Sequence, residues 1–269
     1  MSEENTNLEL ATLVLSCDKY KDLWVPFSHF LKTRWRQYPW NIYLLANEEC
    51  FQDSRIVSIQ TGKDRGWSDS LISALNQLNS KYVFFLHEDT FVLSPYEADI
   101  FRRAVSFLEK VGGTCVKLCP VPCPDVQVVG ETAFGQLSSQ IPYRNNLFMS
   151  IWNRSRLLSY LQPGETAWDF ETIGRKRSEC DKAFYAAWEH HFDYLNAVIK
   201  GRWVPSALDK VRSEIPGYTT TLPVMSRWEE LVFKAYCIAR KAFIGIFGVR
   251  AFKAIHEKKW RGQNPSFSP

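Results

Sequence analysis

The sequence predicts an α/β fold, a mostly parallel sheet flanked by helices, followed by a basic helical tail. Three observations carry that expectation. Short apolar runs of strand length alternate with stretches of helical period between Leu10 and Leu118. Two of the apolar runs stop at acidic residues, where the carboxyl ends of parallel strands place their ligands. Charge is divided unevenly: from Ser226 onward nine Lys/Arg stand against three Asp/Glu, whereas the remainder has 24 against 26.

Taken in order, residues 10–16 form a buried strand that ends at Cys17-Asp18. Residues 23–38 read as a helix, with Trp24, Phe27, Phe30, Leu31 and Trp35 near a helical period. Strands follow at 41–46 and 55–59. The glycine-bounded turn 62–66 leads into a helix over 68–78, with Ser68 and Asp69 as natural caps. The strongest strand, 81–86, runs straight into His87-Glu88-Asp89. A helix over 95–111 and a strand over 114–118 come next. After a Pro/Gly-interrupted connector (120–135), the pattern predicts a strand at 146–152 and a helix at 153–161. A loop at 163–167 and a helix at 181–190 follow. Residues 192–199 read as an edge strand, 201–203 as a turn and 215–223 as a linker. Residues 227–256 read as a basic helix. The expected organisation is therefore one catalytic body over 1–215, a linker over 216–225 and a tail over 226–269.

Composition narrows the function classes. Apolar residues make up 45% of the 269, enough for a real core and too many for wholesale disorder. The polar, acidic start is unlike a signal peptide. The uncharged run 242–249 falls far short of the ~20 residues that span a bilayer. Seven cysteines, an odd number, read as free thiols. Cys115, Cys119 and Cys123 crowd together, but no nearby histidine completes a zinc set. Basic residues confined to the tail argue against a nucleic-acid binder.

Three constellations carry chemistry. Glu88 and Asp89 pair two carboxylates at the end of a buried strand, a costly arrangement that a divalent cation would compensate. Such an ion would be Mn²⁺ or Mg²⁺, holding a diphosphate. In 62–69, backbone N–H groups at a helix start, with Lys63 and Arg65, favour an anion. In 164–171, Trp168 offers a flat face for a sugar. Asp169 and Glu171 are rival general bases, since a carboxyl beside Phe170 and Trp168 has its pKa raised.

Together these segments resemble the GT-A nucleotide-sugar glycosyltransferases. Residues 66–89 look like the helix–strand–DXD portion of that fold, with His87-Glu88-Asp89 in place of the usual motif. Ile151-Trp152-Asn153, Gly164-Glu165, Trp168-x-x-Glu171, Asn196 and Gly201-x-Trp203 are similar to bacterial glycosyltransferases of surface-polysaccharide clusters. The resemblance covers residues 10–205. It implies a GT-A (Rossmann-like) fold and a donor, with UDP first among the nucleotides, bound by Ser16, Asp18, Lys63, Arg65, Trp67, Asp69 and Glu88. It also implies a metal on Glu88 and Asp89, an acceptor pocket lined by Trp168 and Trp203, and Glu171 or Asp169 as base in an inverting displacement. The acceptor would be a glycan or lipid-linked glycan. The basic amphipathic stretch 226–262 would hold the protein peripherally on an anionic membrane, at the inner face of the cytoplasmic membrane; alternatively it would pack back on the catalytic domain or pair two subunits. A nucleotidyltransferase and a non-catalytic, membrane-docking sugar-binding protein are the competing readings. The first should carry a Gly-rich phosphate loop after its first strand, and Ser16-Cys17-Asp18-Lys19 has no glycine.

Overall fold

The computed structural model describes residues 9–239. Strand β1 (Leu10–Leu15) is followed by a 3-10 turn (Asp18–Leu23) and helix α1 (Trp24–Arg34). Strands β2 (Ile42–Ala46) and β3 (Ile56–Gln60), helix α2 (Trp67–Gln77) and strand β4 (Tyr82–His87) complete a Rossmann-like half. These four strands are parallel throughout, with Leu10–Leu15 opposite Tyr82–His87 residue by residue.

The second half is mixed. After β5 (Thr90–Val92) and helix α3 (Ala98–Val111) come β6 (Cys115–Lys117), β7 (Val126–Gln127), β8 (Phe134–Gln136) and β9 (Ser150–Asn153). Helices α4 (Arg154–Tyr160) and α5 (Ala167–Thr172) precede β10 (Phe184–Ala187). Among the described residues the main sheet has the order β3-β2-β1-β4-β9-β6-β10-β8-β7. Strand β9 is antiparallel to both β4 and β6, so β6 points the same way as β1 and β4. Strand β11 (Tyr194–Asn196) pairs antiparallel with β5, and the hairpin β12 (Val198–Ile199) and β13 (Arg202–Trp203) leads to helix α6 (Pro205–Glu214). Residues 227–239, up to the end of the described residues, are helical (α7).

The period of two along the central strands divides the core between the two faces of the sheet. Leu10, Val14, Phe84 and Leu86 pack on the face that carries α1 and α3. Leu13, Leu15, Val83 and Phe85 pack on the face that carries α2, α4 and α5. On the first face Trp35 is fully buried, with Tyr38, Phe84, Tyr96, Phe101 and Phe192 at ring distances of 5.1–6.2 Å. Trp24, Trp35, Trp40, Trp152 and Trp203 are all buried.

Three expectations are corrected. Residues 181–190, read as a helix, contain β10 instead. Its Phe-Tyr-Ala-Ala is compatible with a helix, but all four residues are buried between β6 and β8, and tertiary pairing decides. Ser68 and Asp69 do not cap α2, whose first turn follows Gly66 without a side-chain cap. The 216–225 stretch is no free linker. Tyr218 and Leu222 pack on the core, Met225 is buried, and Asp22 accepts bonds from Thr220 and Thr221. The expected helix beyond residue 239 lies outside the described residues. No helix among the described residues is long and apolar enough to cross a membrane.

Candidate active site

In an open α/β sheet, ligands sit beyond the carboxyl ends of the strands, where the strand order reverses. Here the chain builds β1, β2 and β3 outward to one side and then returns to place β4 on the other side of β1. The switch point is therefore between β1 and β4. Ser16, Cys17 and Asp18 leave the end of β1; His87, Glu88 and Asp89 leave the end of β4.

Glu88 is only 8% exposed, and its carboxylate has no hydrogen-bond partner from another side chain among the described residues. Burial, and then the Asp89 charge beside it, pushes its pKa well above the ordinary glutamate range. Burial lowers the pKa of His87, whose Nδ1 has no hydrogen-bond partner among the described residues. Its ring lies 5.8 Å from Phe148. Burial raises the Cys17 thiol, and the Glu88 charge beside it raises it further.

A divalent cation fits this donor set. Mg²⁺ and Mn²⁺ take hard oxygen donors, and a site built on one or two carboxylates is completed by phosphate oxygens and water. Glu88 and Asp89 supply the carboxylates, and a positive charge there would relieve the burial of Glu88. Among the described residues no group of three His, Cys, Asp or Glu side chains forms a self-sufficient metal site.

The other expected donor residues occupy the same edge. Asp18 accepts backbone bonds from Asn47, Glu48 and Glu49 at 2.8–3.1 Å. Desolvation works against its charge, but these N–H groups outweigh it and lower its pKa. It anchors the loop after β2. The Ser16 hydroxyl accepts from Trp24 Nε1 at 2.7 Å. Lys63 and Arg65 are exposed and have no ion pair among the described residues. Asp69 Oδ2 accepts from the Gly164 N–H at 2.7 Å, and Ser68 Oγ accepts from the Glu165 N–H at 2.9 Å. These two side chains clasp the 164–166 loop to the start of α2. Trp67 then lies 5.6 Å from Phe170, ring to ring.

That clasp positions α5 and the candidate bases. Asp169 forms a capping box with Thr166, and these hydrogen bonds lower its pKa. Glu171 is half-buried, and burial raises its pKa while Lys117 opposes the rise. Geometry and basicity therefore favour Glu171 over Asp169. Trp168 is 52% exposed, its ring 5.9 Å from that of Tyr143. Trp203 does not fit the expectation of an acceptor-lining residue. It is fully buried against Phe91 and Tyr218, and its Nε1 donates to Thr220 Oγ1 at 3.0 Å. A tryptophan with both faces covered has none left for a sugar.

Sequence reasoning missed Lys117. It ends β6 fully buried, and Nζ donates to both Asn146 O and Oδ1 at 2.6 Å. Burial lowers its pKa to about 8. The visible signal was a lysine inside the apolar run Thr114-Cys115-Val116-Lys117-Leu118.

No family model and no curated protein matches the chain. Among solved structures, it is similar to S. aureus TarS 1-349 in complex with UDP. Identity is 12% and the TM-score 0.42, covering 79% of this chain and 67% of that one. Against another TarS 1-349 structure the match covers 66% of this chain and 60% of that chain, at 15% identity and TM-score 0.39. It is also similar to a UDP-glucose pyrophosphorylase complexed with UDP-glucose. There identity is 8% and the TM-score 0.43, covering 70% of this chain and 93% of that one. A cytidylyltransferase from Leptospira borgpetersenii matches at 14% identity and TM-score 0.40, covering 66% of this chain and 74% of that one. At this level of identity and overlap, substrate and reaction rest on the chain's own residues.

Proposed function

We propose that the chain is a glycosyltransferase that moves a sugar from a nucleotide sugar to a hydroxyl of a glycan or lipid-linked glycan, in the synthesis of cell-surface polysaccharide. The observation that carries this reading is the buried carboxylate of Glu88, paired with Asp89 at the β1/β4 switch point. A buried carboxylate pair of this kind calls for a cation to compensate it. Glu88 and Asp89 would hold Mn²⁺ or Mg²⁺, and the ion would offset negative charge on the leaving diphosphate. Lys63 and Arg65 add exposed positive charge to the donor side. Trp168 gives the acceptor a flat apolar face. Glu171, raised in pKa and half-buried, takes the proton from the acceptor hydroxyl as it attacks, and the displacement inverts the anomeric centre.

The test is donor binding followed by turnover. Uridine nucleotides and UDP-sugars are screened by thermal shift with Mn²⁺ and with chelator, because a ligand of the folded state raises Tm. UDP release on a glycan acceptor is then measured. A metal-dependent shift that Asp89→Ala abolishes is expected, with the Tm of the unliganded protein unchanged. Full activity of Asp89→Ala, or undiminished activity in chelator, would overturn the cation assignment. Pyrophosphate release from a nucleoside triphosphate and a sugar phosphate, without UDP release from UDP-sugars, would identify a nucleotidyltransferase instead.

A further inference from the structure

Helix α7 docks to the body by its polar side. Glu230 is 3% exposed, accepts from Ser206 N and Oγ, and pairs with Lys234 at 2.6 Å. Glu229 makes a two-pronged pair with Arg202 at 2.7–2.8 Å, and Arg227 bonds Asp209. The opposite side is left in solvent and is entirely apolar. At about 100° per residue, Ile238, Leu231, Ala235, Trp228, Val232 and Tyr236 fill an arc of roughly 160° with no charge in it. Trp228 is 72% exposed, Ile238 70% and Leu231 59%. Surface helices normally bury such a face and expose the charged one, so this arrangement is inverted and marks an interaction surface.

We propose that this face lies in the surface of an anionic lipid bilayer. Charge selects that occupant. Residues 240–269 carry seven Lys/Arg against one Glu, and Lys258, Lys259 and Arg261 surround Trp260. In the sequence, the run 242–249 adds eight uncharged residues. An apolar helix face followed by clustered basic residues gains twice at a negatively charged leaflet, from burial and from Coulomb attraction. Trp228 and Tyr236 supply amphipathic rings suited to the headgroup level. A second copy of the chain on this face would bring two basic segments together and gain nothing from their charge. The proposal stands on the helix surface and is independent of the reaction.

The experiment is co-sedimentation of the full chain with phosphatidylcholine vesicles, with and without phosphatidylglycerol, at low and high salt. Binding is expected to the anionic vesicles at low salt, with partial release at high salt. The double variant Leu231→Glu/Val232→Glu should lower the bound fraction at least about tenfold. Both side chains are exposed, so its circular dichroism and Tm should match the wild type, and this control separates lost docking from lost folding. Light scattering without vesicles reports the competing occupant. Equal sedimentation of wild type and variant, or no sedimentation of either, would overturn the proposal. So would a wild-type dimer that the variant converts to monomer while neither binds lipid.

Discussion

Glu171 and Asp169 are separated by one residue, yet their carboxyls sit in opposite surroundings. Thr166 stabilises the Asp169 carboxylate in a capping box, so that group is a weak base with a structural task. Glu171 is held back from ionising by burial, with Lys117 in partial opposition. Glu171→Gln should therefore lower kcat about a hundredfold or more, the usual cost of losing a general base, with donor affinity unchanged. Asp169→Asn should weaken the capping box, lower Tm slightly and leave kcat near normal. A reversed pattern in steady-state kinetics would exchange the two roles. The pH dependence has a definite sign. A base must be ionised, so kcat/KM should rise with pH through a midpoint above the ordinary glutamate value of 4.5 and then level off. Stability runs the other way: a raised folded-state pKa favours the fold below 4.5 and loses that contribution as pH climbs through the raised value. Glu171→Gln keeps the group neutral, so at pH 7 its Tm should equal or exceed that of the wild type.

At the scale of elements, the candidate site is assembled by a clasp between α2 and the loop before α5. Ser68 and Asp69 take backbone N–H groups of Glu165 and Gly164. Arg177 then grips the Glu165 carboxylate at 2.6–2.7 Å and the Tyr160 carbonyl at 2.8 Å, tying α4 to the same loop. Glu165 and Arg177 are mostly buried, 13% and 22% exposed at the side chain, so solvent screens the pair less than a surface one. Glu165→Gln should lower stability by about 1.5–3 kcal/mol in urea unfolding, the range for hydrogen bonds to charged groups. It should also reduce kcat while leaving UDP affinity intact, because Glu171 is carried on the loosened segment. A loss of UDP affinity equal to the loss in kcat would show that the clasp serves the donor side instead.

Across the whole molecule, Glu214 at the end of α6 ties the C-terminal part of the body to α1. It pairs with Arg34 at 2.6–2.7 Å, with His29 at 3.1 Å and with Lys210 at 3.2 Å. The Arg34 bonds outweigh desolvation and hold its pKa at about 2. A depressed carboxyl stabilises the fold above its unfolded value of 4.5 and loses that contribution as pH falls toward 2. Wild-type Tm should accordingly drop across that window. Glu214→Gln should be less stable than wild type by about 1–2 kcal/mol at pH 7, with the gap closing near pH 2. A gap that persists unchanged at pH 2 would assign the effect to packing and not to charge.

Much of this was legible in the chain because it depends on local pattern. Apolar runs and helical periods located the parallel half of the sheet, since burial on two faces demands continuous apolar strands whatever lies beside them. The acidic pair stood out because it directly follows the apolar run of β4, and the Trp-x-x-Glu segment because it sets carboxyls beside aromatic rings. What the sequence could not determine is what meets across space. Residues 181–190 suit a helix locally, and only neighbours far along the chain, β6 and β8, make them a strand. Trp203 reads equally well as a sugar platform or a core ring until Phe91 and Tyr218 close on it. Lys117 becomes significant only when burial lowers its pKa beside Glu171. The charged face of α7 reads as the solvent side until Arg202, Ser206 and Asp209 claim it. Periodicity identifies a helix and its faces, but long-range contacts decide which face is buried and which waits for a partner.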